Sequence, residues 1–393
     1  MAHVDGVRKK VLTLFGTRPE VIKLAPIIKE LERRKGVFQT VNVTSSQHTD
    51  LLYPFINLFG LRIDHDLKIM EPNQALSQVA ARVLTALDPI LVKETPDVIL
   101  VQGDTTTAMA GAIAGFHRKI LVGHVEAGLR SGNPYSPYPE EMNRRLISQM
   151  ATYHFAATRQ NHDTLLREGL TEESCHITGN PVVDSLNWVL KEKLPSRDMQ
   201  DLLGATGDYK RIVLTTHRRE SFGEVMGGNL KVLRDFIERH KDTALIFPVH
   251  PNPSVVEVSH RILGQHPRIH LISPITYENF VYLLSQAWLI VSDSGGVQEE
   301  APSLRKPLLI LRENTERQEA VQCGVGKLVG GRPERLAAML EEFCQDSAWL
   351  ERVQQVENPF GSGNSAQRIV DILAVAGISP VETATRPAVA QCA

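Results

Sequence analysis

Short runs of aliphatic and β-branched residues alternate with helix-like patterns along almost the whole chain. In the first half these runs cover residues 11–15, 40–45, 98–102, 120–125 and 154–157, and in the second half they cover 212–215, 244–249, 269–271, 289–292 and 308–311. Stretches with helical spacing, such as 21–34, 105–117, 228–239 and 278–287, lie between the runs. Strands that alternate with helices are typical of a parallel sheet covered on both faces. We therefore predict an α/β fold with two Rossmann-like, doubly wound units in succession.

A polar segment around Gly179, Asn180 and Pro181 separates the two series of strands. The 393-residue chain is also roughly two to three times as long as an ordinary domain. We predict an amino-terminal domain over residues 1–180, a carboxy-terminal domain over 181–360, a helix over 361–377 that packs back on the first domain, and a disordered tail over 378–393. Because ligands bind at the carboxyl ends of the strands in such sheets, we expect the two domains to face a central cleft.

The charge balance excludes several classes of partner. There are 43 Lys and Arg residues against 45 Asp and Glu residues, so the chain lacks the basic excess that binding to nucleic acid or to an anionic membrane requires. No segment approaches the roughly 18 consecutive apolar residues that would span a bilayer, and the apolar run after Lys9 and Lys10 is too short for a secretory signal. The four cysteines show no zinc-like spacing. We expect a cytoplasmic protein without a metal, a nucleic-acid partner or a membrane partner.

Charged residues in the first half collect where predicted strands end and helices begin. They are three acids, Asp104, Glu126 and Glu140, and three cations, Arg18, Lys23 and Arg144. Asp104 could simply cap a helix, and Glu140 would be favoured at any helix start. Glu126 is harder to dismiss, because an acid directly after a buried strand is costly unless it has a partner or a task. Together, neighbouring carboxylates can supply a general acid and a general base, and they can stabilise positive charge that develops on a sugar ring.

The second half carries residues suited to an anion. They are His217 in a His-Arg-Arg-Glu run, His250, the turn formed by Ser294, Gly295 and Gly296, the acids Glu299 and Glu300, and Arg317. Backbone N–H groups of a Gly-Gly turn before a helix can hold a phosphate, and either acid could bind ribose hydroxyls. The P-loop and dinucleotide fingerprints are absent, and residues 64–66, which have the D-x-D spacing of metal-dependent sugar transferases, lie in a predicted polar connector. The pattern favours a nucleotide diphosphate and chemistry without a cofactor.

Eight motifs follow one another between residues 11 and 375: GTRPEVIK, GDTTT, HVEAGLRSG, SPYPEEMNRR, HRRESFG, PVHPNP, DSGGVQEEAPSL and TERQEAV. In this order they resemble the signatures of the non-hydrolysing UDP-N-acetylglucosamine 2-epimerases. The resemblance implies a two-domain fold like that of the GT-B glycosyltransferases and a homodimer. It also implies conversion of UDP-GlcNAc to UDP-ManNAc for surface polysaccharides, by elimination of UDP to a 2-acetamidoglucal and readdition of UDP.

Site roles follow from the same resemblance, residue by residue. It implies that the catalytic groups are Asp104, Glu126, Glu140 and His217. It implies that the groups around the substrate and its diphosphate are Arg18, Lys23, Arg144, His217 and His250, and that the groups that hold UDP are Ser294, Gly295, Gly296, Glu300 and Arg317.

Two departures from the family pattern concern regulation and the second domain. Where many bacterial members read GQHREM, this chain has Ser, Gln, His, Thr and Asp at 46–50. In those members this segment, with the region that matches MEPNQAL here, holds a second UDP-GlcNAc that activates the enzyme. Gln47, His48 and Gln74 remain as candidate allosteric residues. Thr216 stands where a glycine often precedes HRRE.

Four alternatives to this epimerase remain open at the level of sequence. They are a 2-epimerase of a modified UDP-acetamido sugar, a hydrolysing epimerase that releases free ManNAc, a GT-B glycosyltransferase, and a regulator that binds nucleotide sugars without catalysis. A transferase would need an acceptor pocket and would have little use for three acids. A regulator would be recognised by the loss of one or more acids, and all three are present in this chain.

Overall fold

The computed structural model describes residues 8–46, 49–71, 73–216 and 224–375. The chain forms two compact units, which we call the amino-terminal and the carboxy-terminal unit. The amino-terminal unit comprises the described residues up to Ser185 and those from Gly363 onward, and the carboxy-terminal unit comprises Leu186–Ser362. Each unit is built on one parallel sheet with helices between successive strands, which confirms the predicted α/β class.

The amino-terminal unit contains a seven-stranded sheet in the order β3-β2-β1-β4-β5-β6-β7. Its strands are β1 (Lys9–Phe15), β2 (Phe38–Thr44), β3 (His65–Asp66), β4 (Val98–Gln102), β5 (Leu121–Ala127), β6 (Tyr153–Ala156) and β7 (Cys175–Ile177). The helices up to the unit boundary are α1 (Arg18–Arg33), α2 (Thr49–Phe59), α3 (Leu76–Glu94), α4 (Thr106–His117), α5 (Glu140–Met150), α6 (Arg159–Arg167) and α7 (Pro181–Glu192). The boundary between the units falls inside α7, after Ser185, and not at the predicted position 180.

The carboxy-terminal unit contains a six-stranded sheet in the order β10-β9-β8-β11-β12-β13. Its strands are β8 (Lys210–Thr215), β9 (Thr243–Pro248), β10 (Ile269–Ile272), β11 (Leu289–Ser292), β12 (Leu308–Ile310) and β13 (Gly326–Leu328). Its helices are α8 (Arg197–Ala205), α9 (Glu224–Arg239), α10 (Pro253–Leu263), α11 (Tyr277–Ser285), α12 (Gly295–Leu304), α13 (Gln318–Gln322), α14 (Pro333–Gln345) and α15 (Ala348–Gln354). The last helix, α16 (Ser365–Val375), belongs to the amino-terminal unit, where it packs against α1.

Both sheets reverse their winding direction at one pair of neighbouring strands. In the amino-terminal unit this pair is β1 and β4, and in the carboxy-terminal unit it is β8 and β11. In open α/β sheets, ligands bind beyond the carboxyl ends of the strands at such a switch point. The ends of these four strands are therefore the positions in the fold where binding and catalytic groups are expected.

Helix α4 packs closely over the centre of the amino-terminal sheet because it carries glycines on its inner face. A Cβ atom at Gly111 would lie 2.5 Å from Leu14 Cδ2, and one at Gly115 would lie 2.7 Å from Ile99 Cγ2. Side chains of any size would force the helix away from β1 and β4. The start of α4 is thereby held directly at the switch point.

Three short strands were not predicted from sequence. The polar connector at 64–66 contains β3, which pairs with the end of β2, and the segment predicted to end the first series of strands contains β7, which pairs with β6. In the carboxy-terminal unit β13 pairs with β12. The predictions that the first segment is a polar connector and that the second ends the series of strands were wrong. Strands of two or three residues at the edge of a sheet are defined by pairing with a neighbouring strand and not by a local apolar pattern. The predicted tail over 378–393 lies outside the described residues.

Among the helices of the described ranges, none has both the length and the apolar character needed to cross a membrane.

Candidate active site

The acid that follows β5 is held by two side chains from other elements. Lys23 Nζ, on α1, lies 2.6 Å from Glu126 Oε1, and the side-chain amide of Gln102 donates a hydrogen bond to Glu126 Oε2. Glu126 is 8% exposed and Lys23 is 6% exposed. A buried cation and a buried amide therefore orient the two carboxylate oxygens. They are the polar partners that a carboxylate at this buried position requires.

The backbone at Glu126 is in a sparsely populated conformation. Its φ is +66°, and the pairing of β5 with β6 shifts register between Val125 and Ala127. A bulge of this kind re-aims a side chain, and a left-handed conformation in a residue other than glycine costs about 1–3 kcal/mol. Such strain clusters at functional sites, so the observed outlier supports a functional role for Glu126.

The turn of residues 102–105, which we call the Asp104 turn, connects β4 to α4. Asp104 forms an ion pair with Arg144 on α5, and its carbonyl oxygen accepts a hydrogen bond of 2.8 Å from Asn143 Nδ2. The N-cap of α4 is Thr105 and not Asp104, because the Thr105 hydroxyl accepts a hydrogen bond from Ala108 N at 3.0 Å. The Asp104 carboxylate is thus paired with a cation and takes no part in capping.

Glu140 is the first residue of α5, and its half-buried side chain lies one helical turn before Arg144. The neighbouring acid, Glu141, is fully buried and accepts hydrogen bonds from Ser131 N at 2.8 Å and from the Arg145 guanidinium. Glu141 therefore stabilises the loop before the helix. Glu140 is the more exposed acid of this pair.

For the other predicted residues of the amino-terminal half, the contacts recorded are with other groups, or the residues lie outside the described ranges. Arg18 is exposed, and its guanidinium lies 5.9 Å from the centre of the Phe55 ring. Gln74 donates a hydrogen bond of 2.8 Å to the Ile69 carbonyl. Gln47 and His48 lie outside the described residues. Of the D-x-D segment, Asp64 accepts a hydrogen bond from Asn42 N and Asp66 accepts one from the Tyr53 hydroxyl, so both acids serve the sheet edge.

In the carboxy-terminal unit, a turn that we call the Ser294 turn, residues 294–296, follows β11 and opens helix α12. Ser294 is the N-cap of α12, and Gly295 and Gly296 form its first turn. A Cβ atom at Gly295 would lie 2.9 Å from Arg317 Nη1, so the guanidinium lies directly against the backbone of this turn. Backbone N–H groups at a helix start and a neighbouring arginine are the groups that bind phosphates in proteins.

Two acids near this turn are already engaged within the unit. Arg317 Nε donates a hydrogen bond of 2.6 Å to Glu299 Oε1, and the Tyr277 hydroxyl donates one of 3.0 Å to Glu300 Oε1. Both acids are buried. His250 is exposed, and its Nδ1 accepts a hydrogen bond of 3.2 Å from Asn252 N. His217 lies outside the described residues.

Hydroxyl groups join the two switch-point strands of the carboxy-terminal unit. The hydroxyls of Thr215 and Ser292 are 2.6 Å apart, and Thr216 Oγ1 donates a hydrogen bond of 2.9 Å to the fully buried Asp293. Thr216, which stands where a glycine is common in the family pattern, thus links the end of β8 to the residue before the Ser294 turn. Sequence reasoning missed this link, as it missed Gln102, because the adjacency of β8 and β11 and of β4 and β5 is not visible in a local pattern.

Two histidines behind the Asp104 turn are buried without charge. His124 on β5 and His154 on β6 are register partners, and the His124 Nε2–H group donates a hydrogen bond of 2.7 Å to the Gly103 carbonyl. Burial lowers the pKa of His124 to about 3 and that of His154 to about 4. Both rings are therefore neutral near pH 7, and His124 braces the turn as a hydrogen-bond donor. Within the described ranges, no three His, Cys, Asp or Glu side chains are placed to share a metal ion.

Known proteins that are similar to this chain in both sequence and structure are named as UDP-N-acetylglucosamine 2-epimerases. The family model described as UDP-N-acetylglucosamine 2-epimerase matches residues 29–374. The UDP-N-acetylglucosamine 2-epimerase of Escherichia coli (strain K12) is 43% identical over 369 residues, which cover 93% of this chain and 98% of that protein. The crystal structure of UDP-GlcNAc 2-epimerase from Neisseria meningitidis bound to UDP-GlcNAc is similar with a TM-score of 0.86 and 40% identity, covering 93% and 99% of the two chains.

The glycotransferase of kitacinnamycin shares only the fold, at 12% identity and a TM-score of 0.62 over 93% of this chain and 99% of that chain. The identity to the epimerases is far higher and extends over almost their whole length. This chain is therefore a member of the UDP-N-acetylglucosamine 2-epimerase family.

Proposed function

We propose that the protein interconverts UDP-GlcNAc and UDP-ManNAc by elimination and readdition of UDP through a 2-acetamidoglucal. The observation that carries this proposal is the Lys23–Glu126–Gln102 cluster at 2.6 Å between lysine and carboxylate, beside the Asp104–Arg144 pair at the switch point. Family membership supplies the substrate. The structure contributes carboxylates that are held in place by ion pairs with Lys23 and Arg144. Proton transfer to and from C2 requires acids in such a fixed geometry.

The chemistry of C2 dictates the order of events. The C2 proton is not α to a ring carbonyl, so an enolate cannot stabilise its removal. In the elimination, the C1–O bond to UDP breaks and UDP takes its electron pair, while a carboxylate takes the C2 proton and a C1=C2 double bond forms. In the return step, a proton is delivered to the opposite face of C2 and a UDP oxygen forms the C1–O bond again. Every atom is recovered and no oxidant is consumed.

We assign the proton transfers to Asp104, Glu126 and Glu140, with His217 as a fourth catalytic group. Lys23 and Arg144 form ion pairs with two of the carboxylates, and carboxylates near C1 would stabilise the oxocarbenium-like charge that develops as UDP departs. Arg18 and His250 are assigned to the substrate and its diphosphate.

We assign UDP to the carboxy-terminal unit. The backbone N–H groups of residues 294–296 would bind the diphosphate together with Arg317, whose guanidinium is oriented by Glu299 at 2.6 Å. Glu300, oriented by Tyr277, would bind ribose hydroxyls. The stabilised departure of UDP, which gains a further negative charge as the C1–O bond breaks, then provides the driving force for elimination.

A homodimer is part of this proposal. Apolar side chains are exposed on neighbouring helices α4 and α5 of the amino-terminal unit, with Phe116 60%, Met142 39% and Leu146 45% exposed. Exposed apolar groups of this kind are typical of an interface. Analytical ultracentrifugation measures the state directly, and a single monomeric species at micromolar concentration would contradict the dimer.

Deuterium incorporation tests the function. Purified protein and UDP-GlcNAc in deuterium oxide, without added metal or NAD, should give sugar labelled at C2 and a minority of UDP-ManNAc. Product analysis separates the alternatives, because a hydrolysing epimerase would release free ManNAc and a transferase would leave C2 unlabelled. A UDP-diacetamido sugar that turns over with a higher kcat/KM would assign the modified substrate. Unlabelled sugar after long incubation would refute the proposal.

A pair of glutamate variants tests the assignment of Glu126. Glu126→Gln should lower turnover at least 100-fold, because the amide cannot accept the C2 proton, while the Kd for UDP stays within about twofold. Glu173→Gln, at an exposed acid of the same unit, is the matched control and should behave like the parent. Equal losses of turnover and UDP affinity in Glu126→Gln would show that Glu126 is structural.

A further inference from the structure

A second buried carboxylate lies at the amino-terminal switch point and is not among the assigned acids. Glu20 is 1% exposed. Its Oε2 accepts hydrogen bonds from Gly16 N at 2.9 Å, from Thr17 N at 2.7 Å and from Thr17 Oγ1 at 2.8 Å. Its Oε1 accepts a hydrogen bond of 2.7 Å from Thr105 Oγ1. The two oxygens of one side chain thus serve two different loops.

The direction of these four hydrogen bonds follows from a count of protons. The backbone N–H groups of Gly16 and Thr17 can only donate hydrogen bonds. Thr105 Oγ1 already accepts from Ala108 N at 3.0 Å as the N-cap of α4, so its single proton is available for Glu20. A Glu20 carboxylate therefore accepts at both oxygens, whereas a glutamine has one oxygen to accept with and would have to reverse the hydrogen bond at its NH2 end.

The position of this carboxylate also favours a negative charge on it. Glu20 lies in the first turn of α1, and Thr105 is the N-cap of α4, so the carboxylate sits beside the amino ends of two helices. Both ends carry partial positive charge and unsatisfied N–H groups. Burial raises the pKa of Glu20, and the hydrogen bonds from Thr105, Gly16 and Thr17 oppose that rise.

The link crosses between the two strands at which the sheet reverses its winding direction. Thr17 directly precedes Arg18 after β1, and Thr105 directly follows Asp104 after β4, which pairs with β1. We propose that Glu20 is a positioning residue that holds the Arg18 corner, residues 16–18, against the Asp104 turn. This inference rests on the proposed epimerase function, since it assigns Glu20 a role in keeping the acids at the distance that proton transfer at C2 requires.

Other contacts brace the same turn from different directions. Asn143 on α5 holds the Asp104 carbonyl at 2.8 Å, and His124 on β5 holds the Gly103 carbonyl at 2.7 Å. Glu20 on α1 adds a third contact, the hydrogen bond that its carboxylate accepts from Thr105. A catalytic group that is misplaced by about 1 Å can lower the rate about 100-fold. The loss of one of these hydrogen bonds should therefore lower turnover before it prevents folding.

Glu20→Gln is the decisive variant because it keeps the size of the side chain and removes one acceptor. We expect kcat for C2 deuterium exchange to fall at least tenfold, while KM and the Kd for UDP stay within twofold. Thr105→Val should give a similar loss, and Thr105→Ser, which restores the hydroxyl, should rescue exchange relative to Thr105→Val. The control is Thr158→Val, which removes the N-cap of α6 in the same unit and should lower thermal stability without lowering kcat.

The double variant Glu20→Gln/Thr105→Val distinguishes one shared link from two independent effects. If both residues act through the same hydrogen bond, the combined loss in kcat equals the larger single loss, and multiplied losses would overturn the proposal. A folded Glu20→Gln enzyme with kcat within twofold of the parent would also overturn it. If Glu20→Gln fails to fold, the comparison of Thr105→Val with Thr105→Ser decides, and an absence of rescue counts against the link.

Amide hydrogen exchange separates this inference from the proposed function. In Glu20→Gln, peptides that cover residues 103–110 should exchange at least tenfold faster than in the parent, whatever reaction the enzyme catalyses. Unchanged protection there would overturn the link itself. A parent enzyme that does not label C2 would refute the epimerase function, and faster exchange in the variant would then still establish the brace.

Discussion

Acid should destabilise the amino-terminal unit in part through His154, and the size of its contribution follows from the environment of the ring. His154 is 1% exposed on β6, and burial lowers its pKa from 6.5 to about 4. In the unfolded chain the ring binds a proton at higher pH than in the folded protein. Between these two values the unfolded state therefore holds more protons, and the free energy of unfolding falls as the pH falls.

The magnitude can be worked from the two pKa values. The full difference corresponds to about 3.4 kcal/mol, which is expressed only when the pH lies below both values. At pH 5 the linkage relation gives a loss of about 2 kcal/mol relative to pH 7 from this one ring. His154→Gln removes the titrating group, so its unfolding free energy should depend less on pH than that of the parent by about 2 kcal/mol over this interval.

The assay must report on the correct unit. The three tryptophans, Trp188, Trp288 and Trp349, all lie in the carboxy-terminal unit, so intrinsic fluorescence would follow the wrong sheet. We would measure urea-dependent hydrogen exchange of peptides from β5 and β6 at pH 7 and pH 5. The control is His117→Gln, at an exposed position of the same unit, which should keep the pH dependence of the parent. A pH dependence of His154→Gln equal to that of the parent within about 0.5 kcal/mol would refute the reasoning.

Two further predictions concern buried contacts of the same unit. Lys23→Met leaves the Glu126 carboxylate buried without the lysine and should lower the free energy of unfolding in urea by about 3–5 kcal/mol. The double variant Lys23→Met/Glu126→Gln should recover most of this loss. An unrecovered loss would contradict the ion-pair explanation. Gly128→Ala places a Cβ atom 2.2 Å from the Asn161 carbonyl oxygen and should lower the free energy of unfolding by at least about 3 kcal/mol. Gly132 has a similar φ and open space around it, so Gly132→Ala should lower it by only about 1 kcal/mol. Equal effects would show that backbone strain alone is responsible.

The central strands could be predicted from sequence because their signal is local. Strand β4 covers the residues that were predicted, and all five are buried, since a strand in the middle of a parallel sheet is covered on both faces and reads as an apolar run. Strand β3 consists of His65 and Asp66 and owes its existence to pairing with β2. No property of those two residues marks them as a strand when the neighbour is unknown.

The residue types of the site were also predictable, and their pairing was not. Acids and cations at strand ends indicated chemistry at one edge of the sheet, and the family signatures indicated which chemistry. The contacts that organise the site join Lys23 to Glu126, Glu20 to Thr105, and Thr216 to Asp293. Their partners are separated by 103, 85 and 77 residues along the chain.

The sequence by itself therefore determined the fold class, the family and the inventory of reactive groups, because each of these is written in local periodicity or in short contiguous motifs. Only the tertiary structure decided that β1 lies beside β4 and β8 beside β11, and hence which acid meets which cation. Strand adjacency results from the packing of whole helices and strands over long separations. A buried charge therefore acquires its partner only when the sheet is complete.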